Sequence, residues 1–409
     1  MKSHINSMNP YLKDILSAIF TASMFSAFIY LAHFNLTCRL CDSLFALIAI
    51  ALLLYGSKQA VLFSGFFIGL FWFYWIGYSF QYYGMSTWVE PLVALGFSLV
   101  YTLFFAPLAL TRKVCIRGLI LFGLSFIEPF GFNWMKIELL FVDSYFGISK
   151  LDLALVLIAL SLPALLKGRY RYSPLLILVA ALSFTHQKLP LPPLKIDLVA
   201  TGLGQNEKWD RANLREIVNM NLLYIDDAVK NGYDVVVLPE SAFPLYLNRS
   251  QQLLSYLGKK SKKIDIITGA LILENGKHFN VTYHFKDGNY TIAKKMVLVP
   301  FGEYVPLPKF AQKWVSDTFF EGASDFSVAS DPTDFMIKGI KFRNAICYEA
   351  TKDELYKDNP KFMFATSNNA WFLPSVEPTI QRLLMKYYSK KYGTVIFHAA
   401  NRAGTGIIR

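Results

Sequence analysis

Cys347 stands in NAICYEA (344–350), between an apolar run and a carboxylate, in a chain with only four cysteines. An unpaired cysteine is ordinarily an inert packing residue. It becomes a nucleophile only where a base takes its proton and a cation favours the thiolate. Two segments offer those groups. Glu240 closes YDVVVLPE (233–240), and Lys295 opens KMVLVPFGEYVPL (295–307), where two prolines bracket a Gly-Glu turn. A lysine heading an apolar run usually snorkels to water, and each residue type alone says little. Together, thiol, carboxylate and ammonium supply what acyl transfer through a covalent intermediate requires. The thiol is the nucleophile and the glutamate its base. The lysine favours the thiolate and then the tetrahedral oxyanion, and the protonated glutamate hands its proton to the leaving group.

These residues need elements to bring them together. IDLVATG (196–202), YDVVVLPE, IDIITGALIL (264–273), FNVTYHF (279–285), KFRNAICYE (341–349), KFMFATSN (361–368) and TVIFHAAN (394–401) read as strands. ANLREIVNMNLLYIDDAVKNG (212–232), stopped by Asn231-Gly232, and EPTIQRLLMKYYSKKYG (377–393) have helical spacing. Alternation of the two predicts an α/β sheet domain. Reactive groups in such sheets collect at the carboxyl ends of strands. Glu240 and Cys347 are expected there, with Lys295 heading a strand of its own.

The domain begins after KLPLPPLK (188–195), a stretch that cannot continue a helix. Residues 1–192 hold 13 of the 41 Lys and Arg and 7 of the 29 Asp and Glu. With 54% hydrophobic content overall, this is a membrane half, 1–192, followed by a water-facing half, 193–409. Seven apolar runs suit membrane spans: roughly 14–34, 40–56, 60–83, 89–111, 114–134, 151–167 and 173–187. The second, sixth and seventh are short. With the N-terminus inside, nine Lys and Arg fall in inner loops and four (Arg39, Lys136, Lys150, Lys188) in outer ones, which places the second half outside the cytoplasmic membrane. The first run is too long for a cleaved signal and no small-residue cleavage site follows it.

The net charge of +12 divides evenly between the halves without a nucleic-acid motif, so anionic lipid, not nucleic acid, is the expected partner. Cys38 and Cys41 form a CxxC at a membrane boundary, read as packing or an incidental disulfide. The six histidines show no ligand spacing, and neither metal nor cofactor is expected. Apart from Glu128 and Arg117, the acidic and basic residues of the apolar runs all lie within two residues of a run end. A transporter, which needs ionisable groups facing one another within several spans, is disfavoured.

The order LPES, K-x-x-LVPFGEYVPL, AICYE and SNNAWF resembles the apolipoprotein N-acyltransferases, the membrane branch of the nitrilase superfamily. GFFIGLFWFYWIGYSF (65–80) and GFNW (131–134) look like that family's third and fifth spans. The likeness is strong over 196–409 and weaker before. It implies a multi-span α-helical membrane domain followed by a nitrilase-like αββα sandwich. By motif position it implies Glu240 as general base, Lys295 as oxyanion-stabilising cation and Cys347 as nucleophile. Glu303, in FGEY, would support the triad by orienting Lys295. Tyr348 and Glu349 match positions beside the nucleophile, and Trp209, in EKWD, an aromatic near the substrate entrance. A carboxylate as close as Glu349 would raise the thiol's pKa unless itself hydrogen-bonded.

The implied reaction is ping-pong. Cys347 takes an acyl group from a phospholipid, typically phosphatidylethanolamine, holds it as a thioester and passes it to the N-terminal amine of a diacylglyceryl apolipoprotein. The third apolar run and the loop 81–91, which lacks Lys and Arg, would wall an acyl trough. The implied setting is the bacterial inner membrane with the catalytic domain on the periplasmic side. The same triad serves hydrolysis, so a membrane-tethered amidase is the alternative. Departures from the pattern are Asn369 where Asp is common, NRAG (401–404) where an Asn-Asn-Gly turn is expected, and an end at Arg409 that reads as a shortened C-terminus.

Overall fold

The computed structural model describes residues 9–184, 189–300, 303–304 and 326–409. It divides into two compact units. One comprises residues up to Gln81 and Met85–His186, the other Tyr82–Gly84 and Gln187–Arg409. The FG of the FGEY motif and the VPL that ends the 295–307 segment lie outside the described residues, as do the first eight residues and 185–188.

In the first unit, helices α1 (Pro10–His33), α2 (Arg39–Tyr55), α3 (Lys58–Phe73), α4 (Val89–Ala109), α5 (Val114–Leu124) and α6 (Lys150–Ser161) follow one another. Side-chain oxygens of Asn9 and Ser57 cap α1 and α3, accepting from Tyr11 N and Ala60 N. Cys38 and Cys41 are paired as a disulfide at the start of α2. Gly65 and Gly69 let α3 and α4 pack backbone to backbone, since a Cβ at Gly65 would lie 2.7 Å from the Tyr101 carbonyl oxygen. Buried Arg117 gives its guanidinium to the carbonyls of Leu108, Thr111, Leu54 and Gly56, satisfying the C-terminal ends of α4 and α2. Its position is explained by helix capping, and Glu128 is paired with Lys136 at 3.0 Å.

Among the described residues four stretches are long and apolar enough to cross a bilayer: Pro10–His33, Lys58–Tyr82, Val89–Ala109 and Val114–Gly131. The other three of the seven expected spans are shorter. The 17 residues of α2 give about 25 Å at 1.5 Å per residue, near the lower limit for a span. The sixth run yields only the 12-residue α6, and the seventh a 3₁₀ segment, Ser173–Ala181. Pro163 sits just past the end of α6, because proline lacks the N–H the helical ladder needs.

The second unit holds two sheets. The first contains β1 (Ile196–Leu198), β2 (Val235–Val237), β3 (Phe243–Tyr246), β4 (Asp265–Glu274), β5 (Lys277–Lys286) and β6 (Asn289–Lys294), in the order β1-β2-β4-β5-β6 with β3 beside β4. The second contains β7 (Asp334–Ile337), β8 (Ile340–Ile346), β9 (Phe362–Asn368), β10 (Val395–Asn401) and β11 (Gly406–Ile408), in the order β11-β10-β9-β8-β7. The middle strands β8, β9 and β10 are parallel, with antiparallel neighbours at the edges. Helices α7 (Gln205–Trp209), α8 (Leu214–Lys230), α9 (Gln251–Lys260) and α10 (Glu377–Tyr392) complete the unit.

The pleat of each strand decides the layering. Val235, Val237 and Ile267 join Phe335, Phe342, Phe364 and Phe397 in a core between the sheets. Their alternates Val236 and Ile266 turn the other way and pack with Ile225 and Ala228 of α8 and Leu254 and Leu257 of α9. The buried face of α10 (Ile380, Leu384, Tyr388) covers the second sheet. The four layers are those of the expected αββα sandwich.

Two strand readings need correction. β2 ends at Val237, so Glu240 lies three residues beyond it instead of closing it. Lys295 does not head a strand: residues 295–299 form no strand, and the lysine follows the last residue of β6. The apolar run after it lies outside any strand, and the N–H groups of Met296, Val297 and Val299 donate to Glu349 and Glu303. Strands β3, β6, β7 and β11 are short or polar and carry little alternating signal.

Candidate active site

Strand directions put the predicted groups on one edge. β2 and β4 are parallel, and β6 runs with them because β4–β5 and β5–β6 are both antiparallel. Glu240 and Lys295 therefore leave the first sheet at its carboxyl edge, and Cys347 leaves the second at the end of β8. A bridge between Thr201 and Asn401 joins the two edges. Asn401 fastens that junction by donating to Leu203 O and Asn368 Oδ1 and accepting from Thr201 Oγ1 and Leu203 N.

Glu240 is buried, and both its oxygens accept hydrogen bonds: Oε1 from Asn280 Nδ2 at 2.7 Å and Oε2 from the Asn368 backbone at 2.9 Å. Each oxygen thus meets an N–H donor. Gly269 of β4 makes room for this turn, since a Cβ there would lie 2.3 Å from Ser241 N and 2.7 Å from Glu240 Cα.

Lys295 is 1% exposed. Its ammonium donates to Glu303 Oε1 at 2.7 Å and lies 3.9 Å from Glu240 Oε1. Burial opposes its charge, but Glu303, Glu240, Cys347 and Glu349 outweigh burial and hold its pKa above the ordinary lysine value. The other oxygen of Glu303 accepts from Val299 N, which ties the lysine's partner to the lysine's own segment. Glu303 thus sits where it can orient Lys295.

Cys347 is the first residue past β8 and has a φ of +55°. An L-residue in this region costs about 1–2 kcal/mol, and such strain gathers at functional sites. The residue keeps intermediate exposure. Burial and Glu240 push its thiol well above the usual value, and Lys295 opposes them without prevailing. The resting group is a thiol, so a base must act when substrate arrives. Gln381 Nε2 lies 3.8 Å from the sulfur, and its Oε1 accepts from Asn369 Nδ2.

Glu349 answers the concern about its nearness to the thiol. Its Oε1 accepts from Met296 N and Val297 N, and its Oε2 from Ile346 N. It clamps the segment after Lys295 to the residue before Cys347. Burial raises its pKa to about 7, against Lys295 and the three N–H groups, which lower it. Tyr348 is 2% exposed and packs inside. Trp209, at the end of α7, is 42% exposed and is not part of this cluster of buried charges.

Sequence reading missed several members. Lys208, beside Trp209, is buried and donates to the Glu240 carbonyl at 2.8 Å. Burial lowers its pKa to about 8, with Glu240 and Cys347 opposing. Asn280, Asn368 and Gln381 were also missed. Amides within β5, at the end of β9 and within α10 were the available signal, and it is faint without the fold. Among the described residues no group of three or more His, Cys, Asp and Glu is placed to hold a metal.

Fold and site together define a class: a chain with bilayer-length apolar helices and an αββα sandwich carrying a cysteine-centred site at its strand ends. Residues 12–184 match the apolipoprotein N-acyltransferase integral membrane domain. A curated apolipoprotein N-acyltransferase of Wolinella succinogenes is 44% identical over 97% of this chain and 96% of its own length. That of Helicobacter pylori is 37% identical over 88% and 85%. Among solved structures, a CN-hydrolase superfamily protein from Xanthomonas campestris aligns over 52% of this chain and 77% of its own, with 11% identity and a TM-score of 0.38. The chain belongs to the apolipoprotein N-acyltransferase family.

Proposed function

We propose that the chain is an acyltransferase of lipoprotein maturation, working by ping-pong transfer through Cys347. Glu240 takes the thiol proton as the sulfur attacks a phospholipid ester. The Lys295 ammonium holds the oxyanion, and Glu240 returns the proton to the departing lysophospholipid oxygen. The resulting thioester then acylates the N-terminal amine of a diacylglyceryl apolipoprotein. The observation that carries this reading is a Glu240 carboxyl with a donor on each oxygen and a buried Lys295 ammonium anchored by Glu303, both acting electrostatically on the Cys347 thiol. Glu303 and Glu349 act as positioning groups, and the half-exposed Trp209 ring stands toward the lipid entrance.

We place the catalytic unit on the outer face of the inner membrane. Lys and Arg favour an inner N-terminus, and we count five crossings by taking α2 together with the four bilayer-length stretches. If the final apolar pair dips and returns, five remain. If it crosses, there are seven, and the count stays odd.

The test is incubation of purified protein with labelled phosphatidylethanolamine. A hydroxylamine-sensitive adduct should form, vanish with Cys347→Ala and discharge on adding a diacylglyceryl apolipoprotein. Discharge by water at the same rate would replace this reading with the amidase.

A further inference from the structure

Glu377 is a carboxyl that the proposed chemistry leaves unused. It opens α10, is 1% exposed, and its backbone N–H donates to Ser375 Oγ at 3.1 Å. Four residues further on, on the same helical face, Gln381 brings its amide 3.8 Å from the Cys347 sulfur. The Glu377 charge acts on Cys347, and that of Glu240 acts on Glu377. Its Oε2 is fully buried and has no hydrogen-bond partner among the described residues.

The charge balance of the site makes that oxygen informative. Four carboxyls, Glu240, Glu303, Glu349 and Glu377, stand against two ammonium groups, Lys208 and Lys295. Glu240 and Glu349 have both oxygens occupied by donors, as does Glu303. Buried carboxyls are stable only when paired or hydrogen-bonded, and of these four Glu377 alone keeps a buried oxygen that no donor among the described residues meets. Burial, and then the nearby Glu240, hold the Glu377 pKa well above the usual carboxyl value, which favours its protonated form. Of the two substrates proposed above, only the acceptor brings a cation within its reacting group.

We infer that Glu377 is the acceptor-amine subsite, the carboxylate that receives the α-ammonium of the lipidated peptide beside acylated Cys347 and takes a proton from it. This rests on the acyl-transfer reading above. Binding of the ammonium displaces the Glu377 proton to solvent. One N–H proton then passes to the Glu377 carboxylate, leaving a neutral amine whose lone pair attacks the thioester carbonyl. A second proton leaves the nitrogen for Glu240 as the C–N bond forms. The C–S bond breaks, Glu240 protonates the departing sulfur, and the third hydrogen remains on the amide.

The test compares two nucleophiles on acyl-enzyme made from labelled phosphatidylethanolamine. One is a diacylglyceryl peptide with a free amine, and the other is hydroxylamine, which is largely uncharged at neutral pH. In Glu377→Gln, discharge by the peptide should fall by about 100-fold, the scale of lost acid–base assistance. Discharge by hydroxylamine should keep its wild-type rate, and Glu377→Asp should recover part of the peptide reaction. Equal loss with both nucleophiles, the mark of a carboxyl that merely props Gln381, would overturn the subsite, as would no loss with either. Should Glu377→Gln fail to fold, peptide binding to Cys347→Ala protein, followed calorimetrically in buffers of different ionisation enthalpy, decides the matter. Release of about one proton is expected, and none would overturn it. Absence of any adduct on wild-type Cys347 would instead sink the acyl-transfer reading itself.

Discussion

The Lys295 ammonium is held by Glu303 at 2.7 Å and stands off from Glu240 at 3.9 Å. The cation is thus anchored by one carboxylate, while the other remains available to move a proton.

Removing that anchor should separate positioning from chemistry. Glu303→Gln keeps an oxygen for Lys295 but loses the charge that fixes it. We expect acylation of Cys347 to slow by about 100-fold, comparable to losing one oxyanion donor, while the fold survives. Single-turnover labelling with phospholipid measures the rate, and circular dichroism checks the fold.

Gly269 gives a steric test of where Glu240 must sit. A methyl group at this position meets backbone of Ser241 and Glu240, not flexible side chain. Gly269→Ala should displace the base and abolish adduct formation. A variant that acylates at the wild-type rate would refute the placement.

Lys208 holds Glu240 through its backbone carbonyl. Lys208→Met keeps the buried stem but leaves that carbonyl without its donor, at a cost of about 1–3 kcal/mol. We expect a lower melting temperature and slower acylation. The fall should lie in the acylation rate and not in phospholipid KM, since the lysine contacts the base.

Glu349 makes a prediction about pH. Its pKa is about 7 in the folded chain against 4.5 ordinarily. Between those values the native state holds more protons than the unfolded one, so this group's contribution to stability falls as pH rises across the window. Glu349→Gln removes that slope. It also turns an amide NH₂ toward a backbone N–H, so melting temperature should drop at every pH and vary less with pH between the two values.

How much of this was legible beforehand follows the physics of each signal. Short runs rich in β-branched and aromatic residues announced β1, β2, β4, β5, β8, β9 and β10, and the pleat sends neighbours such as Val236 and Val237 of β2 into different cores. Cys347, Glu240, Lys295 and Glu303 were found from residue type and motif, and the structure gathers them at one edge. Asn280, Lys208 and Glu377 were not, since each acts through a fold that joins residues far apart in sequence. Glu240 and Asn368, for instance, are 128 positions apart. Lys295 was misread as opening a strand because its apolar run resembles one. The run instead leaves N–H groups free for Glu349, a use that hydrophobicity cannot reveal. The short sixth span shows the same limit: Pro163 ends the helix that composition alone would extend.

Glu240 also has a mechanical side. One of its oxygens is gripped by Asn280 from the first sheet and the other by the chain at Asn368 from the second. The base is therefore a rivet through both halves of the sandwich. Any slippage of one half past the other pulls on the proton carrier before a single strand is lost, so on gentle heating the enzyme should go silent while still looking folded.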